Sequence, residues 1–260
     1  MNSSENNMDN GNELNSNSEE NQVESPRGVN AQVTNEQLIN WIKSRRSIGN
    51  LSIPAPTESQ IKAAIDCAVT APDHKKLRPW RFIVTQGNAR HDLGRAFLAA
   101  AEAQAAQAGE ELSEKSRKKT YNMPLRAPVI ITVVTHMQVH KKVPPFEQML
   151  SAGAAVQNLI LALQAQGFST VWRTGLLANE PAVKAYFGVG ADDYVTAFVY
   201  TGSSPCDMPT RKQIDIEPLL RFESLRPDRS MITAMFQNSK RCYNVIQQSK
   251  TMTKLVTLFQ

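Results

Sequence analysis

The amino-acid sequence predicts an α+β domain carried between two polar extensions. Apolar residues recur at helical spacing in several capped segments, and about four other runs have the apolar character of strands. The two kinds of segment interleave along the chain without an internal repeat. The chain has 260 residues, 41% of them hydrophobic, which gives room for one large domain or two small ones. No run approaches the roughly 18 apolar residues that span a bilayer, so a membrane-spanning helix is excluded. The first thirty residues lack the apolar stretch of a secretory signal. Three scattered cysteines, Cys67, Cys206 and Cys242, suit neither a disulfide framework nor a zinc site and fit a reducing compartment. A cytoplasmic protein is expected.

Charge divides the chain into three parts. Residues 1–33 hold six acids against Arg27, a net of −5, among Asn, Ser and Gln. So few aliphatic side chains cannot offset the entropy of ordering, and a disordered acidic tail is expected. Residues 222–260 carry +4 and read as a basic C-terminal extension, either an arm over a partner subunit or a tail. Residues 34–221 carry +6 and form the expected folded domain, mildly attractive to phosphate-bearing small molecules. Neither a nucleic acid nor a membrane is expected as a partner.

Within that domain, Thr34 with Gln37 three residues on predicts a capped helix through Leu38, Ile39, Trp41 and Ile42. Thr57 caps a second helix, with Ile61, Ala64, Ile65, Ala68 and Val69 in an i, i+3, i+4 rhythm, that ends near Ala71-Pro72. A polar loop, Asp73 to Pro79, feeds a strand at Arg81–Thr85. Residues 88–109 are alanine-rich and helical, and 110–122 form an exposed helix or lid. Val129–Val134 is a continuous apolar run, the pattern of a strand covered on both faces. Phe146–Gln166 is the longest helix, apolar nearly all round and so centrally buried, and Gly167 ends it. A strand at Ser169–Trp172, a short helix at Pro181–Phe187 and a strand at Tyr194–Tyr200 complete the core.

The usual hydrolytic, nucleotide-triphosphate and Rossmann motifs are absent from the sequence. His136 and His140 stand four apart but follow a strand and precede Pro144, so no metal site is expected. Arg45-Arg46-Ser47 offers two guanidinium forks and a hydroxyl at a helix end, a sound phosphate grip, and equally an ordinary solvated charge pair. Trp172-Arg173-Thr174 ends a buried strand, where ligands bind in layered folds.

Together these segments resemble the nitroreductase family of FMN-dependent oxidoreductases, and its short bacterial NAD(P)H nitroreductase subgroup in particular. The resemblance rests on Arg45-Arg46-Ser47, Ala71-Pro72-Asp73-His74-Lys75 with Pro79-Trp80, Ser151–Leu159 with Gly167-Phe168, and Trp172-Arg173-Thr174-Gly175, in family order over about residues 36–203. It implies a central, mostly antiparallel sheet flanked by helices, in a homodimer with FMN at the subunit interface. NADH or NADPH would reduce the flavin at N5. A small electron-poor acceptor, a nitroaromatic or quinone, would then reoxidise it in a ping-pong cycle.

On this resemblance Arg45, Arg46 and Ser47 hold the FMN phosphate and ribityl chain. Thr70 and His74 reach the flavin from the partner subunit, and Trp172, Arg173 and Thr174 close its other side. Ala162, Leu163, Gln164, Ala165, Gln166 and Gly167 match the nicotinamide segment. The chemistry is carried by FMN, and no separate catalytic side chain is assigned. Thr70 stands where the family pattern has arginine, Arg78 where glutamine is common, and Thr174 where serine is usual. A flavin-binding sensor or scaffold, or another flavin reaction such as dehalogenation or flavin destruction, uses the same residues.

Overall fold

Strand β2 (Val129–Thr135) is buried at every position. Apolar side chains on both faces require cover on both faces, so this strand lies inside the sheet. It pairs with β1 (Trp80–Gln86) on one side and β4 (Tyr194–Gly202) on the other, and β3 (Ser169–Arg173) pairs with β4. The order is β1-β2-β4-β3 and each pairing is antiparallel. Trp80 faces Thr135, Val129 faces Thr201 and Ser169 faces Gly202, with a register shift between Val133 and Val134. Ser47 adds a parallel bridge to Thr170 at the free edge of β3. The computed structural model describes residues 33–206 and 210–222. The acidic tail, apart from Val33, and the basic extension, apart from Phe222, lie outside them.

Helices cover both faces of the sheet. Val129, Ile131, Val133, Ala197 and Val199 pack with Ile61 and Ala64 of α2 (Glu58–Ala68) and with Val156, Leu159 and Leu163 of α5 (Pro145–Ala165). The intervening Ile130, Val134, Phe198 and Tyr200 pack instead with Leu93 and Phe97 of α3 (Ala89–Gln107) and Val183 of α6 (Pro181–Phe187). This is the two-residue alternation of a pleated strand, with apolar residues used on both faces. The expected α+β, mostly antiparallel architecture is what the chain adopts. It lies in the first of two units, residues 1–209. Of the second, residues 210–260, the described part is exposed and holds a 3₁₀ turn at Glu217–Leu219.

Local chemistry sets the helix ends. Thr34 and Thr57 both form full capping boxes, with Gln37 and Gln60, at the starts of α1 (Asn35–Ser44) and α2. α2 stops at Ala68, three residues before the proline-adjacent Ala71. The Thr70 hydroxyl donates to the Cys67 carbonyl at 2.8 Å and satisfies the helix end early. Within residues 110–122 lies one helix, α4 (Glu114–Tyr121), capped by Ser113, mostly exposed but with Thr120 buried. The longest helix departs from expectation. α5 is buried against the sheet and α2, but Phe146 and Leu150 on its outer face are 62% and 66% exposed. Residue type alone made α5 look surrounded, and among the described residues no further layer covers that side.

Two outcomes test these contacts. A β-carbon at Gly94 of α3 would collide with the Tyr121 carbonyl oxygen of α4, a backbone atom that cannot turn aside. Alanine normally favours a helix by about 1 kcal/mol over glycine. Here Gly94→Ala is expected to lose about 1–3 kcal/mol through overpacking, read as a lowered urea midpoint. At one end of the sheet the Asp193 carboxylate meets His136 Nδ1 at 3.1 Å and accepts from the Met137 amide at 2.8 Å. Burial raises its pKa, but the His136 and Met137 hydrogen bonds outweigh it and hold the group below the ordinary value. A depressed folded-state pKa stabilises above the unfolded value of about 3.9 and loses that contribution as pH falls through the folded one. Asp193→Asn should therefore be less stable than wild type at pH ~7, with the gap closing below pH ~4. A gap independent of pH would refute that role.

Candidate functional site

The first group of predicted residues lies along the free edge of β3. α1 ends where Arg46 turns back, its Nη1 donating to the carbonyls of Lys43 (2.9 Å), Ser44 (2.8 Å) and Arg45 (3.1 Å). Those carbonyls would otherwise be orphaned at the helix end. Arg46 thus serves the helix terminus, while Arg45 Nη1 approaches Ser47 Oγ at 3.4 Å. Ser47 then bridges to Thr170, and the Ile48 amide donates to the Thr170 carbonyl at 2.9 Å. The Arg-Arg-Ser segment is held beside the strand that carries Trp172.

Trp172, Arg173 and Thr174 do not form one wall. Trp172 Nε1 donates to Thr174 Oγ1 (3.1 Å), whose hydroxyl donates to the Thr196 carbonyl (3.1 Å). Its ring lies toward α5, 3.9 Å from where a Gly153 β-carbon would stand. Strand alternation sends Arg173 to the opposite face. Its guanidinium sits 5.7 Å from the Tyr200 ring centroid, and its Nη2 would be 3.1 Å from a β-carbon at Gly49. At the end of β3 the three predicted residues thus present Trp172 and Arg173 on opposite faces.

The second group surrounds the loop after α2. The Thr70 hydroxyl accepts from Asn158 Nδ2 of α5 at 3.3 Å. Lys75, Lys76 and Arg78 have left-handed φ values of 63°, 54° and 50°, uncommon for residues with side chains and costing roughly 1–2 kcal/mol each. The strained loop is tied at several points. The Arg78 amide donates to Asp73 Oδ2 (2.7 Å), Ser151 Oγ donates to the Pro72 carbonyl (2.8 Å), and Gln138 Nε2 donates to the Leu77 carbonyl (2.7 Å). His74, at the start of the 3₁₀ turn His74–Lys76, pairs through Nδ1 with Glu147 at 2.7 Å. A shallow cavity of about 340 Å³ lies against them, lined by Pro72, His74, Glu147, Leu150, Ser151 and Ala154 among others.

The two groups flank the open face of α5. At about 100° per residue, Phe146, Leu150 and Gln157 share the exposed stripe. Gly153, facing Trp172, lies at one side of it. Ala154, Glu147, Ser151 and Asn158, facing His74 and Thr70, lie at the other. Small side chains at 153 and 154 leave space beside both groups.

The segment Ala162–Gly167 is used within the fold. Leu163 is wholly buried, and Ala162 packs against the same core. Gln164 Nε2 donates to the Trp41 carbonyl (3.1 Å) and Ser44 Oγ (3.0 Å), and Gln166 Nε2 to the Gln60 carbonyl (3.1 Å). Ala165 is exposed, and Gly167, at φ 84°, turns the chain toward β3. Leu163 is thus part of the core, while its neighbours Gln164 and Gln166 tie α5 to α1 and α2.

Sequence reasoning missed Glu147 and Asn158. Each is an ordinary polar residue on a helix, and only the folded chain sets it against a predicted site residue. Their spacing along α5, eleven residues or about three turns on one face, was the available signal. Among the described residues no cluster of potential metal ligands occurs.

The family model described as "Nitroreductase family" matches residues 42–203. The Escherichia coli (strain K12) protein named "Putative NAD(P)H nitroreductase YdjA" is 41% identical over 168 residues, covering 65% of this chain and 86% of that protein. Among solved structures, the nitroreductase-like family protein from Bacillus cereus aligns with a TM-score of 0.61 at 21% identity, over 71% of this chain and 95% of that one. The FMN-dependent nitroreductase NfnB from Mycobacterium smegmatis, solved in complex with NADPH, aligns with a TM-score of 0.54 at 19% identity, over 71% and 97%. With the sheet order, the Arg-Arg-Ser edge and the His74 loop all within the matched span, the chain is an oxidoreductase of the nitroreductase family.

Proposed function

We propose that the protein is a homodimeric, cytoplasmic FMN flavoprotein. It uses NADH or NADPH to reduce a small electron-poor acceptor, a nitroaromatic or a quinone, in a ping-pong cycle. One observation carries this reading. The predicted flavin residues separate into two groups on either side of an apolar helix face that the described residues leave open. A second copy covering Phe146 and Leu150 across a two-fold axis brings the His74 group of one subunit beside the Trp172 group of the other. The exposed Leu38, Ile39 and Ile42 of α1, each about half accessible, extend the apolar surface available for that contact.

The donor set suits FMN. Arg45 and Ser47 present a cation and a hydroxyl for its phosphate, and the cavity beside His74 has apolar walls at Leu150 and Ala154 for a flat ring. When bound, FMN supplies hydride acceptance from the nicotinamide and reduction of the acceptor. The chain orients it. Trp172 is fixed through Thr174 and Thr196, His74 is fixed by Glu147, and the strained, tethered loop keeps that imidazole in place. Lys75 and Lys76, exposed on the same loop, add positive charge beside the ring. The names of the Escherichia coli and Mycobacterium smegmatis relatives support the donor and the cofactor.

Purified without added cofactor, the protein should show the two visible absorption bands of a flavin, retained through gel filtration and bleached by NADPH. A colourless protein that FMN cannot reconstitute overturns the reading. The shared site has its own test. Arg45→Met and His74→Ala should each lose FMN binding as homodimers. Unfolded and refolded together in equal amounts, they should recover roughly a quarter of the wild-type flavin, because half of the dimers are mixed and each mixed dimer has one intact site. Recovery of none would place both residues in the same subunit's site.

A further inference from the structure

A second cavity, of about 360 Å³, opens on the face of the sheet away from α5. It lies between Phe97 of α3, the 3₁₀ turn Met123–Arg126, the segment after β3, and Phe198 and Tyr200 of β4. Its walls are largely apolar, with Phe97, Met123, Leu177 and Phe198 prominent. Its charged groups are of one sign, Arg126 and Arg173. Both guanidiniums stand close enough to Tyr200 to oppose the burial that pushes its hydroxyl up to about 12.

Nothing in the described chain neutralises this pair. No acid lines the cavity, and among the described residues neither Arg126 nor Arg173 has a carboxylate partner. Glu180, on the segment leading away from the rim, is held by Gln104 Nε2 at 2.6 Å. Arg173 Nε is buried with no hydrogen-bond partner among the described residues. An unmet buried donor costs about 1–3 kcal/mol, and two cations beside an apolar wall also repel. A bound anion relieves both. Guanidinium forks match a carboxylate in shape. The apolar walls match a ring or branched chain.

We propose that this cavity is a binding site for a small aromatic monocarboxylate, distinct from the FMN site. The carboxylate lies between Arg126 and Arg173 with the Tyr200 hydroxyl in reach, and the ring lies between Phe97, Leu177 and Phe198. Thr174 lines the same cavity and holds Trp172 through its hydroxyl, so the occupant touches a segment that also borders the candidate active site.

The test is calorimetric titration of the full-length protein, with and without FMN, using benzoate as probe and benzyl alcohol as its uncharged counterpart. Benzoate should bind once per chain in both states, and benzyl alcohol at least about tenfold more weakly. Arg126→Met should weaken benzoate by roughly tenfold or more, with the thermal midpoint, flavin spectrum and benzoate-free NADPH oxidation unchanged. Should that variant not fold, Arg126→Lys decides the matter: it keeps the charge but loses the fork, and should weaken benzoate several-fold. No benzoate binding at millimolar concentration overturns the proposal, as do equal affinities for acid and alcohol or binding indifferent to the Arg126 variants. Benzoate binding abolished by FMN overturns it too, since the cavity would then belong to the cofactor. Failure to bind FMN, with benzoate binding intact, counts against the flavoprotein reading alone.

Discussion

Strand β2 has no side that water can reach, and the rest of the domain is arranged to meet that condition. Seven consecutive buried residues need neighbours on both edges and layers on both faces. β1 and β4 supply the edges, α2 and α5 one layer, α3 and α6 the other. Removing either layer would expose several aliphatic side chains at about 1.5–3 kcal/mol each. The sheet is therefore a fixed platform, and the variable parts of the molecule hang from its ends.

The two layers leave different things unfinished. On the α5 side, burial against the sheet and α2 still leaves Phe146 and Leu150 open, with the His74 and Trp172 groups at either margin. The proposed dimer would cover this apolar surface and bring the two polar groups together. On the α3 side the surface is closed, but two guanidiniums are left facing an apolar cavity without an acid.

Polar tethers connect these features to the platform. Ser151, Gln138 and Asp73 hold a loop in left-handed conformations that would relax if free. Thr174 and Thr196 hold the Trp172 indole. Arg46, beside Arg45 and Ser47 in the predicted anion grip, also closes the end of α1 through Nη1. A guanidinium is recruited by whichever acceptors are nearest, and here these are three backbone carbonyls.

The sequence by itself determined the elements. Capping residues at Thr34 and Thr57, the apolar run of β2, Gly167 after α5 and the four motif segments are local signals, each set by the conformational preference of a few neighbouring residues. It also named the motif residues that the folded chain gathers into the His74 and Trp172 groups. Tertiary structure alone decided the rest. Pairing between distant residues placed Glu147 against His74 and Asn158 against Thr70. Pleat alternation at the end of β3 parted Arg173 from Trp172. The open side of α5 was invisible for the same reason: an apolar side chain reads alike whether its cover comes from its own chain or from another. That distinction lies in where the layers stop, and no local pattern encodes it.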